Sequence, residues 1–441
     1  MLSIDENNLL TQVGPGTPMG NLMRHYWIPG FMSKELPNPD SDPLRIRLLG
    51  EDLIAFRDTQ GRLGLLANAC SHRGASLFYS RNENGGLRCV YHGWKYDVNG
   101  YCIDMPNEPS ESNFGAKVRQ QAYPVKERNG IAWVYMGSKK NSALPPLPNL
   151  RANMGNQETT EMWIAMRACN YMQALEGDID TSHLGFLHLG AIRPEEVPQK
   201  SFNYYTVNNR NPQYHVVDTD AGTMYAAFRP AEDDTYYYRV AQFLMPCFTM
   251  IPTGSLGQQS LFRAWVPIDD HHTMFWVVSA PNDRNQPASG FSKNSTGPNY
   301  KGTTNSPVFQ ENTTDWLGRW RLANGEHNDY GIDRSLQRLG KDSGISGSYT
   351  GIDGIHLQDQ AITESMSPIY QRNREHLGTS DVMIIKTRRR LLNAVKALQD
   401  QNIEPPGSND PSAYEMQSGG ITLPREADWL SVASELRKSL L

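Results

Sequence analysis

Short apolar or alternating stretches, each bounded by Gly, Asp or Asn, dominate residues from about 40 to 137. PLRIRLLG, DLIAFRD and LGLLANAC have the length and boundaries of strands. KYDVNGYC and KERNGIAWVYMG each carry an Asn-Gly pair, which closes tight hairpins because both residue types accept positive φ. The pattern predicts an all-β domain of roughly a hundred residues. GSKKNSALPPLPNLRANMG, with its Ser, Lys and Pro, breaks the periodicity and reads as a linker at about 137–155.

Beyond that break the pattern is mixed. MRACNYMQALEGDIDTSHLGFLHLG reads as helical, whereas NYYTVNN, GTMYAAFRP, DTYYYRVAQFLM and TMFWVVSAP read as strands of an antiparallel sheet. The Asn-, Ser-, Thr-, Gly- and Pro-rich stretch at about 282–314 is expected to be a long surface excursion. Helical periodicity returns in GIHLQDQAITESM and IIKTRRRLLNAVKALQD, and EPPGS stops the latter. Its Arg388-Arg389-Arg390 run is expected on a solvated face. The whole is an α+β chain.

Composition narrows the function. At 441 residues the chain exceeds one ordinary core, so two domains are expected. A net charge of −5 gives no electrostatic footprint for nucleic acid. MLSIDENNLLTQ lacks the basic and apolar regions of a secretory signal, and no apolar run approaches the roughly 20 residues of a membrane span. A cytoplasmic protein with neither nucleic-acid nor membrane partners is expected. The five cysteines are too sparse for a disulfide framework and suit a compartment where thiols bind metals.

Four residues fall into two mixed pairs, Cys70-x-His72 and Cys89-x2-His92, with sixteen residues between them. Zinc fingers usually pair Cys with Cys and His with His. One Cys and one His from each of two loop tips suits a [2Fe–2S] cluster of Rieske type, in which one iron takes two thiolates and the other two imidazoles. Structural zinc is the alternative on spacing alone. Gly74, Gly85, Gly86 and Gly93 let the loops turn closely around such a cluster.

A second constellation, EGDIDTSHLGFLH, supplies Glu176, Asp178, Asp180, His183 and His188. On a regular helix Glu176, Asp180 and His183 share a face, with His188 about 140° away from His183. His188 joins them only if the helix ends or deforms, for which Gly185 offers a place. Two histidines beside a carboxylate begin a 2-His-1-carboxylate site for non-haem Fe(II). Asp359, on an apparently apolar helix, competes with Asp180 and Asp178 as the third ligand, and His356 is a further rival. Spacing does not choose among the carboxylates. A one-electron cluster and an O2-binding iron in one chain together make an oxygenase.

At this point the sequence resembles the oxygenase components of Rieske non-haem iron ring-hydroxylating systems, on the Cys70/His72/Cys89/His92 pattern and on Glu176-x3-Asp180-x2-His183-x4-His188. LLTQVGPGTPMGNLMRHYWIPG and GIHLQDQAITESMSPIYQRNREHLGTSD resemble the phthalate dioxygenase-like branch. The resemblance implies a Rieske domain over 26–140, a linker over 141–155 and a catalytic domain of helix-grip fold, a curved antiparallel sheet around a long helix, over 156–441, with residues 1–25 packed on it. It implies that Cys70, His72, Cys89 and His92 hold the cluster, and that His183, His188 and Asp359 bind the iron. Asp180 would then bridge to a cluster histidine of a neighbouring subunit, within a homotrimer or a stacked hexamer. Glu176 stands where some relatives carry Asn and receives no role.

The implied partners are an NAD(P)H-dependent flavin and iron–sulfur reductase, O2 and an aromatic acid. The implied reaction is ring cis-dihydroxylation, with O-demethylation of a methoxylated aromatic acid as the alternative. A carboxylate substrate calls for a buried planar cation, for which Arg229, Arg239 and Arg263 on predicted strands are candidates. Tyr225, Phe243 and Met245 are candidate pocket liners or plain core.

Overall fold

The computed structural model describes the chain except residues 110, 138–142, 156, 157, 159, 259, 281–307, 340–348 and 439–441. Most of the expected surface excursion at 282–314 therefore lies outside the described residues.

The first part consists of three small antiparallel sheets. Leu44–Leu48, Glu51–Arg57 and Leu63–Ala67 form one of them, as the alternating pattern predicts. The Asn129-Gly130 turn, with φ of 51° and 77°, joins Val125–Arg128 to Ile131–Tyr135 in a tight hairpin. A four-stranded sheet from Arg81 to Asp104 carries the second Cys-His loop between two of its short strands.

The second part is built on an eight-stranded antiparallel sheet. Its path runs Glu161–Arg167, Thr273–Ala280, Ser260–Pro267, Phe248–Met250, Thr235–Leu244, Gly222–Pro230 and Gln213–Thr219, and Gly419–Pro424 pairs with Thr235–Leu244. Every residue of Ser260–Pro267 and Thr273–Ala280 is buried, because both faces of the sheet are covered. The 20-residue helix Val382–Gln401 packs against Gly222–Pro230. Helices Ile4–Thr11 and Pro18–Met23 lie on the same long helix, and Tyr171 and Asn170 side chains hydrogen-bond Leu10 O and Thr11 O.

The stretch read as a linker is packed where it is described. Leu150, Ala152 and Asn153 are buried, and Asn153 Oδ1 accepts from Trp133 Nε1 at 3.0 Å and Arg128 Nε at 2.9 Å. The two parts share one apolar core.

Three local expectations are corrected. NYYTVNN is not a strand: Phe202–Asn208 is a helix whose N-cap Ser201 accepts from Tyr204 N. Tyr205 stacks on Tyr237 of the sheet at 4.5 Å, so packing overrides the strand preference of its aromatic and β-branched residues. MRACNYMQALEGDIDTSHLGFLHLG, read as helical throughout, forms an α-helix only over Tyr171–Ile179: Met166 and Arg167 end strand Glu161–Arg167, and the helix stops at Asp180 in extended backbone, before Gly185. Arg388 is not on a solvated face. It is 3 % exposed and donates to Glu176 and Glu375.

Glu176 also accepts from Arg372, closing a buried cluster of two guanidiniums and two carboxylates between helix Tyr171–Ile179 and helix Val382–Gln401. Burial alone would raise the Glu176 carboxyl, but Arg372 and Arg388 outweigh it and hold it below its ordinary range. The cluster anchors the helix that leads into the second constellation.

Candidate metal centres and active site

The two Cys-His loops are built alike. Cys70 N donates to Ala75 O and Gly74 N to Cys70 O, each at 2.8 Å. Cys89 N donates to Trp94 O and Gly93 N to Cys89 O, each at 2.9 Å. Each loop closes on a glycine four residues after its cysteine, at φ of 75° for Gly74 and 81° for Gly93, a conformation other residues rarely adopt. Cys70 and Cys89 are buried and free of disulfides, while His72 and His92 lie toward the surface with ring centroids 4.4 Å apart. Two inner thiols and two outer imidazoles fit a [2Fe–2S] cluster with one iron of each ligation.

The first pair has a polar neighbour. Tyr96 OH lies 3.2 Å from Cys70 Sγ and 3.0 Å from Ser71 Oγ. Burial and the Cys70 contact raise the Tyr96 phenol far above its ordinary range, so it stays protonated. Against a thiolate, which only accepts, the phenol is the donor. Hydrogen bonds to cluster sulfurs are one of the determinants of its potential.

The second constellation assembles because the helix ends at Asp180. Asp180 Oδ1 accepts from Ser182 N at 2.7 Å, and the chain turns through a short 3-10 segment, His183–Gly185. His183 Nε2 and His188 Nε2 come within 3.2 Å, His188 Nε2 lies 3.2 Å from Asp359 Oδ1, and His183 Nε2 lies 3.6 Å from the same oxygen. Donors about 2.1 Å from one metal and at right angles to one another stand about 3 Å apart, so these three fit one face of a metal's coordination shell. They form a group of three side chains close enough to bind one metal ion.

The other nitrogens of the two rings are also held. His183 Nδ1 lies 3.4 Å from Asp180 Oδ2, and His188 Nδ1 lies 2.7 Å from Gln358 Oε1. Burial would lower the His183 imidazolium, yet Asp180 and Asp359 hold it above its ordinary value. Burial would raise the Asp359 carboxyl, and the two histidines press it far below the usual carboxylate range.

The rival ligands are placed elsewhere. Asp178 is ion-paired with Arg263 and bonded to Thr249 and Trp265. His356 packs between Trp163 and Phe275, at ring distances of 4.8 and 5.9 Å. Glu176 faces its two arginines rather than the histidines.

Of the three arginine candidates, Arg263 is therefore already neutralised. Arg229 and Arg239 are not. They are 1 % and 3 % exposed and sit on neighbouring strands, Arg239 opposite Ala227 and Arg229 two residues further, so both point to one face of the sheet. Arg229 Nε donates to Asn209 O and Arg239 Nη2 to Pro252 O. Both Nη atoms of Arg229, and Nε and Nη1 of Arg239, have no hydrogen-bond partner among the described residues. Burial first, then the charge of Arg239, pulls the Arg229 guanidinium down to about 10. Tyr214, on the adjoining strand, joins this face to the loop that carries His183 through a 2.7 Å hydroxyl contact with Ser182. Tyr225, Phe243 and Met245 are buried members of the main core.

The Rieske [2Fe-2S] domain family matches residues 26–124, and the family described as LigXa C-terminal domain like matches residues 134–439. The chain belongs to the Rieske non-haem iron oxygenases. The 3-chlorobenzoate-3,4-dioxygenase oxygenase subunit of Comamonas testosteroni is 44% identical to it over 430 residues, which span 96% of each chain. The phthalate 4,5-dioxygenase oxygenase subunit of Pseudomonas putida is 36% identical over 414 residues, 90% of this chain and 87% of the relative. Crystalline dicamba monooxygenase bound to dicamba superposes with a TM-score of 0.54 over 86% of this chain and 99% of its own, at 16% identity, a likeness of fold alone.

This Rieske oxygenase is thus an oxidoreductase with the α+β fold expected of it, and the terminal oxygenase subunit of an aromatic ring-hydroxylating system. The family's cofactors are a [2Fe–2S] cluster and a mononuclear Fe(II), and its oxygenase subunits work with separate reductase and electron-transfer components. Among the described residues no helix is long and apolar enough to cross a membrane.

The sequence reading missed Tyr96, Ser182, Tyr214 and Gln358. Gln358 stands next to Asp359, but no spacing rule marks a glutamine as the partner of a histidine 170 residues away. Tyr96 carried a weak signal, as the alternate position of a strand that begins just after Trp94.

Proposed function

We propose that this oxygenase hydroxylates an aromatic carboxylate, with ring cis-dihydroxylation as the reaction and Arg229 and Arg239 as the carboxylate-binding pair. The observation that carries the substrate class is the pair of buried guanidiniums whose remaining N–H groups meet no acceptor among the described residues. Buried donors without partners are costly, and a planar carboxylate satisfies two of them at once. The two relatives described above are named for acids, 3-chlorobenzoate and phthalate.

In this reading Cys70, His72, Cys89 and His92 hold the cluster, and His183, His188 and Asp359 hold the iron. When bound, the cluster supplies single electrons and the iron supplies the place where O2 is activated. The chain does the rest. Arg229 and Arg239 pin the carboxylate on the sheet face beside the iron loop, which fixes the ring's orientation. Burial of that face keeps water from competing for the guanidiniums. Asp180 holds the proton on His183 Nδ1 and keeps Nε2 free for the metal.

Asp180 is itself 22% exposed, so its outer edge is open to a neighbouring chain. Val90, Tyr91, Tyr101, Ile103 and Phe114 are exposed around the Cys-His loops, an apolar rim suited to contact with a second copy. Both support a homotrimer, alone or stacked as a hexamer, in which Asp180 meets a cluster histidine of the adjacent subunit. Electrons come from a separate NAD(P)H-dependent flavin and iron–sulfur reductase. Asp180→Asn is expected to keep both metals while slowing single-turnover product formation by about 10- to 100-fold. Iron analysis, the visible spectrum and rapid-quench assays check this, and an unchanged rate refutes the bridging role.

The deciding assay gives the reduced, iron-loaded protein O2 with a panel of phthalates, benzoates and methoxybenzoates. A cis-dihydrodiol carrying both oxygen atoms is expected. Formaldehyde with a newly freed phenol assigns O-demethylation instead. Turnover of neutral arenes but no acid refutes the carboxylate reading.

A further inference from the structure

The two iron-facing histidines are held in different ways. An imidazole presents the Nε2 lone pair to a metal only when its proton sits on Nδ1. For His183 the group that holds this proton is the Asp180 carboxylate. For His188 it is a neutral amide, Gln358 Oε1, at 2.7 Å. Gln358 is 1 % exposed and lies on helix Ile355–Ser365, one residue before Asp359.

An amide can turn either its oxygen or its nitrogen to a partner, and here the choice is fixed. Gln358 Nε2 donates to Ile352 O at 2.8 Å, so Oε1 must face His188. His188 Nδ1 is therefore the donor, and Nε2 is left as an acceptor beside His183 Nε2 and Asp359 Oδ1. Two carboxylates, Asp180 and Asp359, already lie at this centre. A third one behind His188 would add negative charge and favour the ferric over the ferrous ion. Glutamine accepts the same hydrogen bond without that charge.

We propose that Gln358 is a positioning residue for the mononuclear iron: it locks His188 in the Nδ1–H tautomer and keeps the charge of the site suited to Fe(II). The inference rests on His183, His188 and Asp359 being the iron ligands.

The test is equilibrium metal binding rather than turnover. The full-length protein, with its cluster intact, is stripped of mononuclear iron and titrated anaerobically with Fe(II) against a competing chelator. Gln358→Met, close in length but without an acceptor, is expected to bind Fe(II) about 10- to 100-fold more weakly. Gln358→Glu restores the acceptor and is expected to bind Fe(II) at least as tightly as wild type, with a lower Fe(III)/Fe(II) potential.

Wild-type affinity in Gln358→Met overturns the proposal. So does a Gln358→Glu protein as weak as Gln358→Met, because the clamp on Ile352 O would then be what matters. If Gln358→Met fails to fold, Gln358→Glu decides alone, and a loss of affinity beyond tenfold refutes the role. His183→Ala separates this inference from the reading beneath it. A wild-type protein with no Fe(II) site that His183→Ala removes refutes the ligand assignment itself.

Discussion

Cys89→Ala is expected to abolish the red-brown absorption of the cluster together with all turnover, whereas His183→Ala keeps the colour and loses only the mononuclear iron. The two losses separate because the centres are built on different elements. The Cys-His loops proposed to hold the cluster hang from the small N-terminal sheets, and each is closed by its own backbone hydrogen bonds around a positive-φ glycine. The proposed iron donors come from the chain after helix Tyr171–Ile179 and from helix Ile355–Ser365. Removing Cys89 leaves the buried inner pair with one thiol. Removing His183 leaves His188 and Asp359, too few donors to hold a metal that needs a facial set of three. Both variants should be inactive to the detection limit. Iron content, visible absorption and electron paramagnetic resonance of the reduced protein distinguish them. A bleached His183→Ala protein, or a coloured Cys89→Ala protein, refutes the assignment of the residues to two centres.

Arg229→Met should lose affinity for the acid and gain stability in its absence. Truncating one partner of a buried, hydrogen-bonded charge pair costs about 2–5 kcal/mol, which is roughly a thirty-fold to several-thousand-fold loss in kcat/KM. The loss should sit mainly in KM, because the carboxylate is bound in the ground state as well as in the transition state. Stability moves the other way. Burial and the neighbouring Arg239 pull the Arg229 guanidinium down to about 10, below its ordinary value. A cation whose folded-state value is depressed weakens the fold wherever the group is charged in the unfolded chain, which includes neutral pH. Replacing it by methionine removes that penalty, so the melting temperature of the ligand-free protein rises. The same relation makes an added benzoate or phthalate raise the melting temperature of the wild type but not of the variant. Steady-state kinetics and thermal melts check both halves. An Arg229→Met protein that keeps its KM for every acid excludes the guanidinium from the substrate site.

How much was legible in the chain depended on how local the information is. Cys70-x-His72 and Cys89-x2-His92 define their own loops, so residue type, spacing and the glycine that closes each turn are all present within a few positions. The strands of the N-terminal sheets and of Gly222–Pro230, Thr235–Leu244 and Thr273–Ala280 were equally plain, since alternation or an unbroken apolar run is a local property. The helix leading to the histidines was visible, but its end was not. Asp180 stops it by taking up Ser182 N, a competition between side chain and backbone that periodicity does not register.

Charge pairing was the least legible feature. Arg229, Arg239 and Arg263 looked alike as arginines on apolar strands, and so did Arg388 and its neighbours on a helix. Arg263 meets Asp178, 85 residues earlier, and Arg388 meets Glu176, 212 residues earlier. Arg229 and Arg239 meet no carboxylate among the described residues, and that contrast singles them out.

By itself, then, the sequence determined the chemistry on offer: two Cys-His loops, a His-rich helix end, an α+β chain and a family resemblance that supplied the roles. Spacing left the carboxylate beside His183 and His188 open, the resemblance named Asp359, and the fold brings that residue there. Tertiary structure alone decided which arginines meet no carboxylate among the described residues and which amide holds the second histidine. The reason is physical. Ligand spacing within a loop is set by a few backbone angles, whereas the partner of a buried charge is whichever opposite charge the fold brings within reach, at any distance along the chain.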